Sequence, residues 1–162
     1  MIPLVQKSYT MKNARNINLT IDEIISKIND FIAADPNGQF DIAIGTDSQN
    51  FSYTKIVTVI AVHNHGKGGI YFYNTEKIPL IRSIQQKLYK ETELSLSLVE
   101  SIFSAIPEKD NIKIQVHVDA GYYGKTKKLI PELTAWVKGC GYDVKVKPYS
   151  FAASSIANKY SK

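Results

Sequence analysis

The hydrophobic pattern changes period several times along the chain, and each change marks an element. Residues 1–18 are polar and Asn-rich without a period, which reads as an N-terminal arm laid over the surface. Thr20-Ile-Asp-Glu23 has capping-box spacing, in which Thr20 accepts from the Glu23 backbone and Glu23 returns the bond. Ile21, Ile24, Ile25, Ile28, Phe31 and Ile32 follow at helical spacing, and Asp35-Pro-Asn-Gly38 ends the run. A helix is therefore expected over 20–34. Three strands should come next: Phe40–Thr46, Lys55–His63 and, after the Gly66-Lys-Gly-Gly69 turn, Ile70–Ile78. Their short links favour antiparallel hairpins. A second helical pattern fills 81–106 and stops at Pro107. Ile112–Val118 reads as a buried strand, 126–138 as a helix closed by Gly139 and Gly141, Tyr142–Lys147 as a last strand and Phe151–Tyr160 as a short final helix. Trp136, with Leu133 and Val137, reads as core.

After the opening helix the order is β-β-β-α-β-α-β-α. Three antiparallel strands followed by βαβ units predict an α/β fold: a mixed five-stranded sheet with helices on both faces, plus the extra N-terminal helix. At 162 residues the chain should hold one domain, 19–162, behind the arm at 1–18. Hydrophobic residues at 44% and charged residues at 22% exclude wholesale disorder. No apolar run approaches the ~18 residues that span a bilayer, so no membrane partner is expected. Met1–Thr10 lacks the apolar stretch of a signal peptide, and the single cysteine, Cys140, allows neither an internal disulfide nor a Cys-rich zinc site. A cytoplasmic protein is expected.

The net charge of +5 is unevenly placed. Residues 1–81 balance, whereas 121–162 carry eight lysines against Glu132 and Asp143. A basic end on a neutral body suits a polyanion held through its phosphates, although a solvated lysine face would look the same.

Two apolar strands each deliver an aspartate: Asp47 in Ile44-Gly-Thr-Asp-Ser-Gln49, at or just past the first strand's end, and Asp119 in Ile112-Lys-Ile-Gln-Val-His-Val-Asp119. Either alone is ordinary turn chemistry. As a pair on neighbouring parallel strands, they would meet at one edge of the sheet. Gly45 would let another backbone or a ligand approach closely. In the long helix Ile84, Leu88, Ser95, Leu98, Val99 and Ile102 share a face at about 100° per residue. Glu91 falls near the centre of that face, whereas Glu93 and Glu100 read as surface acids. A glutamate there is expensive to bury unless it is paired or bound to metal. Converging carboxylates repel unless a cation lies between them, and an all-oxygen site suits Mg²⁺ or Mn²⁺ and phosphoester chemistry.

The segments Ile44-Gly-Thr-Asp-Ser-Gln49, His117-Val-Asp-Ala-Gly121 with Gly124-Lys-Thr126, and Lys147-Pro148 followed by Ala152-Ala-Ser-Ser155 resemble the YkuK-type branch of the ribonuclease H-like superfamily. The resemblance runs from about residue 20 to the C-terminus. It implies the element order read above and a metal-binding acidic site of Asp47, Glu91 and Asp119, which would carry the catalysis. The superfamily's fourth ligand usually comes from the final helix and is acidic or His. Here the best-placed residue is Asn158, whose amide oxygen brings no charge, so a second ion would be held weakly.

The expected activity is divalent-metal-dependent phosphodiester hydrolysis of RNA, DNA or a hybrid. A non-catalytic nucleic-acid-binding module of the same fold, or a structural protein with a metal-stabilised core, stays open beside it. Ser48 and Gln49, next to Asp47, are expected to touch substrate, as is His117, which shares strand parity with Asp119. Gly121-Tyr-Tyr-Gly-Lys-Thr126 is not a Walker A loop, because that spacing needs Gly where Asp119 stands. Lys125, Lys127 and Lys128 at the following helix start suit a backbone phosphate, and Tyr122 and Tyr123 suit base stacking. His63 and His65 flank a hairpin turn and read as surface histidines.

Overall fold

The computed structural model describes residues 9–162; the predicted arm's first eight residues, and most of the segment read as free of a signal sequence, lie outside them. Two short strands, β1 (Thr10–Asn13) and β2 (Asn18–Thr20), open the chain. Helix α1 (Ile21–Ala33) starts on the predicted capping box: the Glu23 N–H donates to Thr20 Oγ1 at 3.2 Å, and the Thr20 N–H to Glu23 Oε1 at 3.1 Å. Strands β3 (Phe40–Asn50), β4 (Thr54–Asn64) and β5 (Gly68–Ile78) follow, then α2 (Ile84–Phe103) and β6 (Ile112–His117). A 3₁₀ turn over Lys127–Leu129 leads into α3 (Ile130–Gly139), and β7 (Asp143–Lys145) comes next. The chain ends in a π-helical segment, Ala152–Ala157, that runs into α4 (Asn158–Ser161).

The sheet has seven strands, not five, in the order β2-β1-β5-β4-β3-β6-β7. The β3–β4 and β4–β5 pairs are antiparallel, β3–β6 and β6–β7 parallel, as the element order predicts. Strand β1 is cut from the segment read as a loose arm, and β2 runs from the end of that arm, Asn18, to the predicted helix start, Thr20. Asn13 Oδ1 accepts the N–H groups of Arg15 and Ile17, Asn16 takes a φ of 62°, and the resulting hairpin adds β1 to the edge of β5. Met11 and Leu19 are its buried residues. Strands this short supply about one inward residue each, too few to show a period.

One face of the sheet is covered by α1, α2 and α3. Ile24 and Ile28, Leu96, Leu98 and Ile102, and Leu133 and Val137 pack there on Ile42, Ile44, Ile60 and Val116. The other face is thinner: Val57, Val59, Ala61 and Tyr73 meet Ala157, Phe151, Ile156 and Tyr160 of the final segment. Trp136 departs from its predicted place in the core, standing 37% exposed edge-on to Tyr89. At Gly45 the thin layer lies directly against the sheet. A Cβ there would lie 2.5 Å from the Ala153 nitrogen, so only glycine lets the final segment lie against β3.

Candidate active site

Register places the two aspartates. In the parallel β3–β6 pair Gly45 stands beside His117. Two residues further along, Asp47 lies opposite Asp119, at the point where β6 has ended. Asp47 is not at a strand end, as expected, but inside β3, paired with Val57 of β4. The two carboxyl groups come within hydrogen-bonding reach of each other.

The third acid arrives from the opposite layer. Helix α2 is fastened to β3 at two points: Ser95 Oγ to Thr46 Oγ1 at 2.8 Å, and Ser48 Oγ–H donating to Glu91 Oε2 at 2.5 Å. The spacings match: four helical residues rise about 6 Å and two strand residues about 6.6 Å. Glu91 is buried, while Glu93 and Glu100 are exposed, as their helical phases predict. Asp47, Ser48, Gln49, Glu91, Asp119 and Asn158 line one cleft of about 250 Å³, with Ile84, Lys87, Thr126 and Lys147 at its walls. Ile84, expected on the apolar face, is 44% exposed at this cleft instead.

Burial pushes the Asp47 carboxyl above the usual carboxylate range; a Ser161 hydrogen bond opposes this and the Asp119 charge adds to it. Ser161 Oγ–H donates to Asp47 Oδ2 at 2.8 Å, and the Asn158 Nδ2–H donates to the same oxygen at 3.1 Å. Burial drives Glu91 well above its ordinary range, against the Ser48 bond, with the Asp47 and Asp119 charges adding to the rise. Asp119 is held by the Ser154 hydroxyl at 2.9 Å and the Lys147 ammonium at 3.1 Å, both on Oδ1.

Several predicted contacts change role. Asn158 turns its amide N–H, not its oxygen, toward Asp47. In this arrangement it supports that acid. His117 does not reach the cleft. It is buried, with Phe151 packed edge-on, and both ring nitrogens are engaged: the Ala152 N–H donates to Nδ1 at 3.2 Å, and Nε2 lies 2.9 Å from Gln115 Oε1. Because Nδ1 accepts from a backbone N–H it carries no proton, and burial lowers the His117 pKa to about 4. Through the Ala152 N–H it anchors the final segment.

Lys125, Lys127 and Lys128 are exposed on the stretch entering α3. The helix begins later than expected because Lys127–Leu129 winds as 3₁₀ and Pro131 occupies the first α-helical turn. Tyr122 and Tyr123, also exposed, line a separate groove of about 630 Å³ with Lys145, Lys147 and Tyr149. Lys147 belongs to both the groove and the acidic cleft. Its place beside Asp119, like those of Ser154 beside Asp119 and Ser161 beside Asp47, is not legible as a site signal, because each rests on a fold contact far away in sequence.

Among the described residues, one set of three His and acidic side chains brings its ligand atoms within 4.8 Å of one another, and it lies elsewhere: Asp41, His63 and His65. Also among the described residues, no helix is long and apolar enough to cross a membrane.

Comparison with known proteins agrees with this architecture. The family model described as ribonuclease H-like matches residues 23–162. A Bacillus subtilis (strain 168) protein named "Uncharacterized protein YkuK" is 30% identical over 170 aligned positions, covering 96% of this chain and 98% of that one. With its mixed sheet and its strand–helix order, the chain belongs to the ribonuclease H-like family, as a YkuK-type member.

Proposed function

We propose that the chain is a divalent-metal-dependent nuclease working at Asp47, Glu91 and Asp119. The observation that carries this reading is the approach of Asp47 to Asp119 within hydrogen-bonding reach, beside a buried Glu91. With Lys147 paired to Asp119, burial still disfavours the charges of Asp47 and Glu91, and the charge of each neighbouring acid adds to this; a bound cation would relieve it. Their donor set, oxygen only, is that of a Mg²⁺ or Mn²⁺ site. A divalent ion bound there would polarise the phosphoryl group and lower the pKa of an attacking water.

The chain's own residues do the rest. Ser161 and Asn158 fix Asp47, Ser48 fixes Glu91, and Ser154 fixes Asp119, so each carboxylate is oriented before a ligand arrives. Lys147 keeps N–H donors beyond the one aimed at Asp119, and with Lys87 it offers positive charge to a phosphate oxygen at the cleft. Gln49 stands at the same wall for a further polar contact. Tyr122, Tyr123 and Tyr149 supply stacking faces along the adjoining groove, and Lys125, Lys127 and Lys128 supply phosphate contacts beside it. The substrate is therefore a nucleic acid. The Asn158 amide in place of an acid favours a second reading, a binding module that holds nucleic acid without cutting it.

A Mg²⁺ and Mn²⁺ cleavage screen over single-stranded, double-stranded and hybrid substrates tests the first reading, with Asp47→Asn as control. Cleavage by the wild type and not by the variant is expected; equal cleavage by both would place any activity outside this cleft. Binding without cleavage would select the second reading. In salt titrations, replacing Lys125, Lys127 and Lys128 by Ala should weaken binding to all sequences alike. It should also flatten the salt slope, by about 0.7–0.9 for each phosphate that is no longer neutralised. Curves that overlay the wild type would remove these lysines from the interface.

A further inference from the structure

We propose that Asp41, His63 and His65 form a second, separate binding site for one divalent transition-metal ion of the zinc type. One ligand atom from each lies within 4.8 Å of the others. Backbone pairing produces the arrangement. Asp41 of β3 stands directly opposite His63 of β4, and the His65 N–H donates to Gln39 O at 2.9 Å, continuing the ladder past the strand end. His65, two residues on, therefore returns to the face of His63. The two imidazoles lie 5.2 Å apart at 30°, and His65 Nε2 sits 2.7 Å from Asp41 Oδ2.

Two ligands at about 2.0–2.1 Å from a tetrahedral zinc lie about 3.3 Å from each other. Small rotations of the exposed histidines would open the 2.7 Å contact to that span. Two borderline imidazole donors beside one carboxylate suit Zn²⁺, Ni²⁺ or Cu²⁺ over Mg²⁺, and three protein ligands leave a position for water. The chain has three histidines, and the other one, His117, is committed to the fold. Lys113, paired with Asp41 across β6, is the nearest cation by register. It is exposed, so solvent screens it. Six residues of β3 put this site about 20 Å from Asp47, too far to share an ion with the acidic cleft. A bound ion would clamp the β3–β4 ends beside the Gly66–Gly68 turn.

The test uses full-length, tag-free protein carrying Asp47→Asn and Asp119→Asn, which removes competition from the cleft. Calorimetric titration with Zn²⁺ should show one equivalent bound. Adding His63→Ala and His65→Ala should abolish it, with circular dichroism unchanged because both side chains are on the surface. In the unmutated chain, Zn²⁺ should perturb the imidazole NMR signals of His63 and His65 and leave His117 unmoved. Undiminished Zn²⁺ binding after the histidines are replaced, no binding before, or unperturbed His63 and His65 signals would each overturn the proposal. Because Asp47 and Asp119 are replaced and Glu91 alone remains in the cleft, none of these outcomes bears on the nuclease reading.

Discussion

Asp41 and Asp47 sit six residues apart on one face of one strand, and the fold treats them in opposite ways. Asp41 is half-buried, and its strand and hydrogen-bond partners are two exposed histidines and an exposed lysine. Around Asp47 the final helical segment closes over the strand, Val57 stands opposite, and Asp119 faces it across the gap left by the end of β6. The same residue type on the same backbone thus becomes a solvated partner for imidazoles at one end. At the other it becomes a desolvated acid whose charge is costly. The difference lies in what packs on the sheet rather than in the strand, because burial multiplies the repulsion between carboxylates that water would screen.

That contrast can be broken at graded cost. The largest effect is expected from Glu91→Gln. Loss of one ligand should lower cleavage about a thousandfold, since several kcal/mol of transition-state stabilisation go with it and about 1.4 kcal/mol is a factor of ten. Stability in chelator should move the other way. The Glu91 pKa is raised in the folded chain, so the folded state holds a proton the unfolded chain releases, and stability is lost as pH rises from the unfolded value through the folded one. Glutamine escapes that loss while still accepting from Ser48. Thermal unfolding at neutral pH should show a higher midpoint for the variant, and a lower one would contradict the burial argument.

His117 has the opposite sign. Its pKa is about 4 when folded, against 6.5 for the free side chain, so the unfolded chain takes up its proton first and stability falls as pH drops between those values. The full loss from this group is about 3 kcal/mol. His117→Asn keeps an acceptor for the Ala152 N–H without titrating. Urea unfolding at several pH values should show the acid-side fall reduced by that amount, and parallel curves would count against it.

Gly45→Ala presses a methyl against the Ala152–Ala153 backbone and should cost about 1–3 kcal/mol, read as a lower urea midpoint. If the final segment lifts in response, Asp47 also loses its Ser161 and Asn158 bonds, and its surroundings move toward those of Asp41. An unchanged midpoint would mean that the segment does not rest on the strand. The smallest effect is expected from Asn158→Asp, which adds a negative charge beside Asp47. Mn²⁺ affinity by calorimetry should rise about tenfold, the equivalent of about 1.4 kcal/mol. Equal affinities would place residue 158 outside the metal's reach.

The local elements were written in the chain at short range. Thr20 and Glu23 set the start of α1, the phase of α2 selected Glu91 over Glu93, and the runs around Asp47 and Asp119 marked two strands. Each depends on neighbours within a few positions, which periodicity and capping chemistry report directly. The β1–β2 hairpin escaped because its two strands bury only Met11 and Leu19, and its polar positions look like those of a loop. Parity put His117 on the face of Asp119, but only the tertiary structure sealed that face at His117 with Phe151 and Ala152. Register decided the rest: Asp47 opposite Asp119, Asp41 opposite His63, Lys147 against Asp119. Sequence alone specified which acids were expensive to bury. Pairing between distant segments specified which of them share a cleft, because the free energy of an ionised group depends on the charges and solvent that surround it.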